Sequence, residues 1–494
     1  MRPLTARFIA EATSGRVVAG DPSRVFTALS SDSRTTPPGA LFVPLSGPRF
    51  DGHAFIADVL VRGAGGAFLE TARADALVPS LLAGEAPLIA VPDVLRALGD
   101  LARALRDLHP GRFVAITGSS GKTTVKELVS AALSAFGPVA KTPGNLNNQI
   151  GLPLTLGQTD GHERHVVLEL GMSAPGEIAH LAHLARPDVT VVTMAAEAHL
   201  ASFSSVDGIA DAKCELFAHQ PAAAVAVANA DDPRILGRAS ALAGERLVTW
   251  GRAEGATVRV VARHLTLGAG AAPRLAVELK VGIPNIGTPT ISLQLQTMAL
   301  HDAENAAAAI AVVVALGLDV HAAATALEAG FRPAPHRMNA LTPRAGLLVL
   351  DDAYNANPAS MRGALATVAA LADLQPRARR VLVLGTMHEL GPDSARLHRE
   401  LGAAAGALAP IFVLATGPEA ASLVAGVSAV APEAHVRAVP DLDDGLAQLH
   451  DLAATATPDA PLHVLLKGSR AERLERALSA LGVPPAPDKL QGGA

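Results

Sequence analysis

The sequence predicts an α/β fold of three domains, with a central P-loop-type parallel sheet and a doubly wound, dinucleotide-fold-like C-terminal domain. A chain of 494 residues is too long for one ordinary hydrophobic core. Short apolar segments alternate with segments of helical periodicity after residue 110, which is typical of a parallel sheet covered on both faces. A Pro110-Gly111 turn and a restart of this pattern near Pro333 predict domains at residues 1–109, 110–332 and 333–494.

A glycine-rich turn between a strand and a helix is the strongest signal in the sequence. Residues 113–116 are apolar, and apolar residues then recur at helical spacing as far as Phe136. Glycines let backbone N–H groups face an anion, and the helix N-terminus adds a positive dipole. Lys122 adds a full charge, and Thr123 places a hydroxyl where a phosphate-bound Mg²⁺ would lie. The predicted nucleotide-binding residues of the turn are Gly118, Ser119, Ser120, Gly121, Lys122, Thr123 and Thr124.

This turn departs from the standard Walker A motif. That pattern requires a glycine at position 116, where this chain has Ile116, so the loop is two residues shorter. A Gly/Ser turn that merely precedes a lysine is the alternative. The strand before the turn and the helix after it favour a site for a nucleoside triphosphate.

Composition and charge exclude several classes of protein. The 49% hydrophobic content with only 3% aromatic residues indicates a globular chain with small side chains rather than a disordered one. A net charge of −5 gives no indication of a nucleic-acid surface. The single cysteine, Cys214, excludes an intramolecular disulfide and fits a reducing compartment. Because we find neither a signal-peptide pattern nor a membrane-spanning apolar run, we expect a cytoplasmic protein without membrane insertion.

The remaining elements follow from hydrophobic periodicity. Outside the last domain we expect strands at residues 88–91, 165–170, 189–193 and 225–229, and helices at 94–108, 177–185, 206–217, 303–316 and 320–329. Residues 257–297 alternate like antiparallel strands and are interpreted as an inserted ribbon. In the last domain we expect strands at 347–350, 381–384, 411–415 and 463–466, and helices at 360–374, 394–408, 419–427, 442–454 and 471–481. No G-x-G-x-x-G follows its first strand, so we predict no NAD site there.

Three polar residues fall at or just beyond the predicted C-terminal ends of central strands, where parallel sheets bind ligands. Glu169 lies in an otherwise apolar strand, and a buried carboxylate requires a partner, which a nucleotide-bound Mg²⁺ would provide. A water-exposed strand end is the alternative for Glu169. Taken alone, His199 fits a structural histidine and Lys213 a solvated helix residue, and spacing leaves both readings open.

Several stretches resemble the Mur ligase family, and together they extend from about residue 31 to residue 470. They are ITGSSGKTTVKE, GNLNNQIGLPLTL, ELGMSAPGEI, AKCELF, HDAENAAAA, LDDAYNANPASM and LLKGSR. The resemblance is greatest to the branch that adds D-alanyl-D-alanine, through GNLNNQIGLP, DDAYNANPASM and the segment Met387–Gly391. The Asp-Asn-Pro-Arg signature of the sister ligase that adds the third, diamino residue is missing from the last domain.

The resemblance implies an ATP-dependent, ADP-forming ligase that makes a peptidoglycan precursor. Its substrates would be UDP-N-acetylmuramoyl-tripeptide, held at its UDP end by the first domain, and D-Ala-D-Ala, held largely by the last. ATP would bind in the central domain and phosphorylate the tripeptide carboxylate, and the acceptor amine would then attack the acyl phosphate. We expect no nucleic-acid partner and a monomer.

The resemblance also implies roles for individual residues. Lys122, Lys213 and His199 would be catalytic, with Lys122 on the β- and γ-phosphates of ATP. The metal ligands would be Thr123, Glu169, His199 and Lys213, the last after carbamylation by CO₂, which turns a cation into an anion able to bind a second Mg²⁺.

Further residues matching the family's nucleotide site lie outside the turn. Asn305 would approach the nucleotide base, Arg337 would reach the ATP phosphates, and Asp352 belongs to the motif that meets the ribose. Tyr354, the only tyrosine, lies in the same motif and is equally consistent with packing. The expected substrate-binding residues are Ser33, Arg34, Arg49, Asn147, Asn148, Asn355 and Asn357.

Two positions depart from the family pattern. The usual Gly-x-His-Asn is Ala299-Leu300-His301-Asp302, which affects the expected adenine contacts. The usual Gly-Asp-Met is Gly385-Thr386-Met387, so a polar contact made by that Asp is lost or replaced. Three alternatives remain open: another Mur-type ligase; a folylpolyglutamate synthase-like enzyme, a class that lacks an equivalent first domain; and a P-loop ATPase switch that hydrolyses ATP without forming an amide.

Overall fold

Three larger β-sheets, each with its own helices, follow one another along the chain. The computed structural model describes residues 1–48, 50–81, 85–197, 203, 205–266, 273–284 and 286–484. The strands of the three sheets lie within residues 1–109, 110–332 and 333–494 respectively, while the domain boundaries themselves stay predictions.

The first sheet has five strands in the order β2-β9-β8-β5-β4. The strands of this region, including those of two small two-stranded sheets, are β1 (Leu4–Thr5), β2 (Arg16–Ala19), β3 (Val25–Phe26), β4 (Leu29–Ser30), β5 (Leu41–Phe42), β6 (Ser46–Gly47), β7 (Phe50–Asp51), β8 (Gly66–Glu70) and β9 (Leu88–Val91). The helices are α1 (Ala6–Ala12), α2 (Ile56–Val61), α3 (Thr71–Leu81) and α4 (Val94–Leu108).

The central sheet has nine strands in the order β11-β12-β10-β13-β14-β15-β16-β17-β18. They are β10 (Arg112–Thr117), β11 (Val139–Lys141), β12 (His165–Glu169), β13 (Val189–Val192), β14 (Val225–Asn229), β15 (Leu247–Gly251), β16 (Val258–Thr266), β17 (Arg274–Val281) and β18 (Thr290–Leu295). The helices are α5 (Lys122–Leu133), α6 (Gly151–Leu156), α7 (Glu177–Ala185), α8 (Val206–Ala218), α9 (Pro233–Ala243), α10 (Asp302–Ala315) and α11 (Val320–Gly330).

Strand order explains why distant residues meet at one edge of this sheet. Strand β10 lies between β12 and β13 and is parallel to both, with Ile116 paired to Glu169 and Thr117 to Val192. The C-terminal ends of these three strands therefore open onto the same crevice, the usual ligand position in a parallel sheet.

The last sheet has six strands in the order β19-β20-β24-β21-β22-β23, and only the β19–β20 pair is antiparallel. The strands are β19 (Asn339–Arg344), β20 (Leu347–Asp352), β21 (Arg379–Gly385), β22 (Phe412–Thr416), β23 (His435–Val439) and β24 (Leu462–Lys467). The helices are α12 (Pro358–Leu374), α13 (Ser394–Gly406), α14 (Ala420–Val430), α15 (Leu446–Ala454) and α16 (Ala477–Ala480).

A shared apolar core joins the central and last sheets. Helix α10 is buried almost all round, because its run of small alanines and valines lets it pack closely against neighbours on every side. The same buried cluster includes Val125 of α5, Leu350 of β20 and Met361 of α12. The backbone N–H of Leu300 also donates to Thr367 Oγ1 of α12, at 3.3 Å. Helix α12 of the last domain is thereby held beside the start of α10 in the central domain.

The structure confirms the α/β class and corrects some predicted elements. The ribbon at residues 257–297 is antiparallel, but it is not a separate insertion, because β16 pairs with β15 and extends the central sheet. The predicted helix at 471–481 is wrong. Arg473, with φ of 49°, interrupts the segment, which forms two 3-10 turns and the four-residue α16. The helix predicted at 442–454 begins as a 3-10 turn, Leu442–Gly445.

Several elements were not predicted, among them α6, α9, β11, β15 and β23. No helix among the described residues is long and apolar enough to cross a membrane.

Candidate active site

The glycine-rich turn follows β10 directly, and close packing explains its glycines. Gly118 has a φ of 149°, and a Cβ there would lie 1.8 Å from Thr193 Oγ1. Gly121 caps α5 with a φ of 83°, a conformation that L side chains rarely adopt. The Ser119 hydroxyl donates to the carbonyl of Ala196, and the Ser120 carbonyl accepts from Thr193 Oγ1 at 2.6 Å. Contacts with the segment after β13 thus fix the turn at the start of α5.

Lys122 is the first residue of α5, and its side chain folds back over the turn. Its Nζ donates to the carbonyl oxygen of Gly118 at 2.6 Å. Burial lowers the pKa of Lys122, while the nearby Glu169 carboxylate opposes the shift and the Arg337 guanidinium adds to it. The ammonium therefore stands inside the curve of the turn, where an anion would gain most from its charge.

Glu169 ends β12 and is buried, with 4% of its surface exposed, so it is not the water-exposed strand end considered as an alternative. The Thr123 hydroxyl donates to Glu169 Oε2, and Asn147 Nδ2 donates to Glu169 Oε1, both at 3.0 Å. The Nζ of Lys126 lies 3.7 Å from Oε2, and Thr142 Oγ1 accepts from the Glu169 backbone N–H. These partners hold the carboxylate toward the glycine-rich turn at residues 118–124, the phosphate turn.

Lys126 was not predicted, although it is one of the largest fully buried side chains of the chain. It lies on α5 one turn after Lys122, and its Nζ donates to the carbonyl of Thr142 at 2.9 Å. A lysine at this helical spacing has the pattern of a solvated residue. Lys126 is buried because β11 and Thr142 pack behind the helix, which the spacing of residues in the sequence does not indicate.

Lys213 on α8 faces the same site and is also buried, at 2% exposure. Burial holds its pKa well below the usual value, and the Lys122 cation adds to the shift. Lys213 is therefore not the solvated helix residue that its position in the sequence suggests when it is considered alone.

A cavity of about 520 Å³ opens between the phosphate turn and the loop after β12. Lys122 and Lys213 both line it, together with the expected substrate residues Asn147 and Asn148. Asn148 Oδ1 also accepts from the Gly151 N–H and so fixes the start of α6. Further lining residues that sequence patterns gave no reason to select are Gln149, Ser173, Glu177 and His180.

Two side chains of the last domain reach the phosphate turn. Arg337 Nη2 donates to Thr123 Oγ1 at 3.3 Å, and its guanidinium lies over the ring of Tyr354, 4.2 Å from the centroid. Asn357 caps α12 through Ser360, and its Nδ2 lies 3.4 Å from the Ser119 carbonyl. The second contact is at the long end of hydrogen-bond geometry.

Asn305 and Asp302 form a buried pair at the start of α10. Asn305 Nδ2 donates to Asp302 Oδ1 at 3.0 Å, and its Oδ1 lies where it would meet a Cβ at Gly121. Asp302, which departs from the family's asparagine, accepts from Thr297 Oγ1 at 2.7 Å, and burial raises its pKa. The substituted carboxylate is thus used inside the protein, next to the phosphate turn.

Asp352 at the end of β20 pairs with a buried lysine. Its Oδ2 lies 2.8 Å from Lys467 Nζ, which also donates to the carbonyl of Asn355 at 2.8 Å. Burial lowers the pKa of Lys467, and the Asp352 carboxylate opposes that shift. Lys467 lies in the stretch LLKGSR, but its pairing with Asp352 depends on β24 lying beside β20, which no local sequence pattern indicates. Thr386, where the family has Asp, accepts from the Glu419 N–H and donates to the Thr416 carbonyl, so a polar contact is retained.

Two of the predicted substrate residues that the structure describes, Ser33 and Arg34, make hydrogen bonds or ion pairs outside this cluster. Arg34 is exposed and pairs with Asp32 at 2.8 Å, and the carbonyl of Ser33 accepts from Arg62. Thr124 lies within the first turn of α5. His199 and Arg49 lie outside the described residues.

The residues present fit a magnesium ion bound together with a nucleotide. Glu169 and Thr123 supply the carboxylate and hydroxyl oxygens that Mg²⁺ prefers, and Mg²⁺ usually takes its other ligands from phosphate and water. Among the described residues no three His, Cys, Asp or Glu side chains form a metal cluster, so a dedicated all-protein metal cage is not present there.

The fold and the site define a nucleotide-binding α/β protein whose phosphate turn is covered by a separate C-terminal sheet. Residues 25–106 match the Mur ligase family catalytic domain, residues 116–313 the Mur ligase middle domain, and residues 336–470 the Mur ligase glutamate ligase domain. The chain belongs to the Mur ligase family.

Individual relatives agree over nearly the whole length. The UDP-N-acetylmuramoyl-tripeptide–D-alanyl-D-alanine ligase of Escherichia coli is 34% identical, over 92% of this chain and 93% of that protein. A crystal structure of MurF from Acinetobacter baumannii has a TM-score of 0.84 at 29% identity, covering 98% of this chain and 100% of that one. MurF of Thermotoga maritima, in complex with ADP, has a TM-score of 0.77 at 28% identity, covering 92% of this chain and 97% of that one.

Proposed function

We propose that this protein joins D-alanyl-D-alanine to UDP-N-acetylmuramoyl-tripeptide at the expense of ATP, producing a peptidoglycan precursor, ADP and phosphate. The observation that supports this most is that Lys122 of the phosphate turn and Lys213 line one cavity, together with Asn147, whose amide donates to Glu169. The relatives support the choice of substrates, because the chain matches ligases of that name over more than nine-tenths of their length.

The first chemical step activates a carboxylate. An oxygen of the tripeptide's terminal carboxylate forms a bond to the γ-phosphorus of ATP, the bond from that phosphorus to the bridging oxygen breaks, and ADP leaves. Lys122 and Arg337 hold the negative oxygens of the phosphates, and the backbone N–H groups of the turn orient them. Thr123 and Glu169 would hold a Mg²⁺ ion, which would supply additional positive charge at the phosphates.

The second step forms the amide. The neutral amine of D-alanyl-D-alanine attacks the acyl carbon, the carbon–oxygen bond to phosphate breaks, and the nitrogen loses a proton. Much of the rate comes from holding both substrates beside the activated acid. The 520 Å³ cavity beside the turn, partly enclosed by Asn147 and Asn148, is the space proposed for the tripeptide end.

Carbamylated Lys213 is part of the proposal. The lowered pKa favours the neutral amine, whose nitrogen bonds to the carbon of CO₂ with loss of a proton. The product would be an anion near the Lys122 cation, and its oxygens could serve as ligands of a second metal ion. Lys213→Ala is expected to lose activity that added short-chain carboxylates partly restore. Full activity without them would contradict the role.

The test of the function is phosphate release by purified protein with ATP, with each substrate alone and with both. We expect release to require both substrates and to match amide formation by mass spectrometry. Release that is independent of both would indicate a P-loop ATPase switch. Release that requires a folate and glutamate would indicate a folylpolyglutamate synthase.

We also propose that the protein is located in the cytoplasm, because UDP-linked substrates and ATP are found there.

A further inference from the structure

The segment that carries Arg337 has an unusual backbone. It links α11 to β19, and the residues on both sides of the arginine lie in the left-handed region, His336 with a φ of 58° and Met338 with a φ of 50°. Histidine is enriched in this region among residues other than glycine, but methionine is not, and two such residues flank a single arginine. Each such residue costs free energy, so surrounding contacts must hold the segment in this form.

Those contacts come from the end of one strand, β20. His336 Nδ1 lies 2.7 Å from Asp351 Oδ2, and only 4% of the Asp351 side chain is exposed. The backbone N–H of Met338 donates to Asp352 Oδ1 at 3.2 Å, and the N–H of Tyr354 donates to the His336 carbonyl at 3.1 Å. The adjacent carboxylates of Asp351 and Asp352 therefore bind the residues before and after Arg337.

The side chain of Arg337 is supported separately. Its guanidinium stacks 4.2 Å from the centre of the Tyr354 ring, while Nη2 reaches Thr123 in the phosphate turn at 3.3 Å. The positive charge of Arg337 contributes to lowering the pKa of both Lys122 and Lys467, in which burial is the larger cause. Arg337 thus lies near two other cations, Lys122 and Lys467, and although Glu169 and Asp352 offset part of the repulsion, the guanidinium gains from contacts that hold it in place.

We propose that His336, Asp351 and Tyr354 are positioning residues that hold Arg337 in the conformation that meets the ATP phosphates. The last domain then brings a preformed arginine to the phosphate turn, instead of ordering a flexible side chain when ATP binds. The inference rests on the proposed function, because it is ATP that gives the arginine its task.

A double-mutant cycle on Arg337 and Tyr354 tests the inference. Tyr354→Leu keeps an apolar side chain of moderate size but removes the aromatic face. We expect it to lower both kcat/KM for ATP and the affinity for a non-hydrolysable ATP analogue, measured by calorimetry, about five- to tenfold, the size of one partly buried cation–π contact. In an Arg337→Ala background the same change should cost less than about twofold, because its partner is already gone. Tyr354→Phe, which keeps the face, should recover most of the loss, and the KM for UDP-tripeptide should not follow the affinity for ATP.

His336 provides an independent variant pair. Asparagine tolerates the left-handed region and keeps a donor for Asp351, whereas β-branched valine does neither. We expect His336→Val to weaken analogue binding to about the level of Arg337→Ala, and His336→Asn to lose much less. If His336→Val does not fold, the Tyr354 cycle decides alone.

Two results would overturn the inference: equal losses for Tyr354→Leu with and without Arg337, or Tyr354→Phe as defective as Tyr354→Leu. A wild-type protein that binds the analogue but forms no amide would instead contradict the proposed function. The calorimetric cycle would still show whether the arginine is held by its neighbours, so the two failures can be told apart.

Discussion

Replacing Lys126 by methionine should destabilise the central domain while leaving its apolar packing nearly intact. The buried Nζ lies 3.7 Å from Glu169 and 3.4 Å from Glu127. At an effective dielectric of about 20, a charge pair at this distance is worth about 4 kcal/mol, and breaking buried pairs typically costs about 3–5 kcal/mol. Glu169 keeps its hydrogen bonds from Thr123 and Asn147, which offset part of the loss. A net cost of about 2–3 kcal/mol follows.

Thermal unfolding measured by differential scanning calorimetry would test this value. For a domain of about 200 residues the loss corresponds to a midpoint lower by about 5–10 °C. Lys141→Met is the matched control, because Lys141 also pairs with Glu127 but its side chain is 46% exposed, so we expect a shift below about 2 °C. A shift for Lys126→Met no larger than that of Lys141→Met would refute the reasoning that the lysine balances the charge of Glu169.

Three further outcomes are expected. Gly118→Ala should weaken binding of an ATP analogue more than about tenfold, because the new methyl group would overlap Thr193 and distort the turn. Glu169→Gln should raise the Mg²⁺ concentration that gives half-maximal activity, with little change in the KM for D-alanyl-D-alanine, because a neutral amide is a poorer magnesium ligand. His463, which pairs with Gln375 and whose pKa burial lowers to about 4, should make the protein less stable in acid. Since its pKa in the unfolded chain is about 6.5, the unfolded state binds more protons between these values, and up to about 3 kcal/mol is lost as pH falls from about 6.5 to about 4. His463→Gln should reduce this loss in thermal unfolding measured across that range.

Each of these outcomes has a clear opposite. Tight analogue binding by Gly118→Ala would mean that the turn relaxes without cost. An unchanged Mg²⁺ requirement in Glu169→Gln would remove that carboxylate from the proposed metal site. If His463→Gln and wild type lose stability in parallel as pH falls, the acid sensitivity arises from other groups, among which His165 and His398 also have pKa values lowered by burial.

Local patterns were sufficient for the phosphate turn. A strand, two glycines with positive φ and an amphipathic helix are encoded in consecutive residues, so Gly118, Gly121 and α5 could be predicted without tertiary information. The same reasoning failed at residues 471–481, where apolar spacing indicates a helix but Arg473 turns left-handed. Hydrophobic periodicity indicates which residues are apolar, whereas tertiary contacts decide where a helix is interrupted or ends.

Contacts across sheets could not be predicted from spacing. Lys126 has the pattern of a solvated helix residue, and its burial depends on β11 packing behind α5. The family resemblance indicates Arg337, but its stacking on Tyr354 depends on the pairing of β19 with β20, and its contact with Thr123 depends on the last sheet lying over the turn. Residues whose role depends on a partner far along the chain required the fold before they could be identified.

The most direct measurement is a crystal structure of this protein with a non-hydrolysable ATP analogue and Mg²⁺. We predict that the β- and γ-phosphates lie within hydrogen-bond distance of Lys122 Nζ and the backbone N–H groups of the turn, with the metal between Thr123 and Glu169. A nucleotide bound anywhere other than that turn would contradict the proposed catalysis.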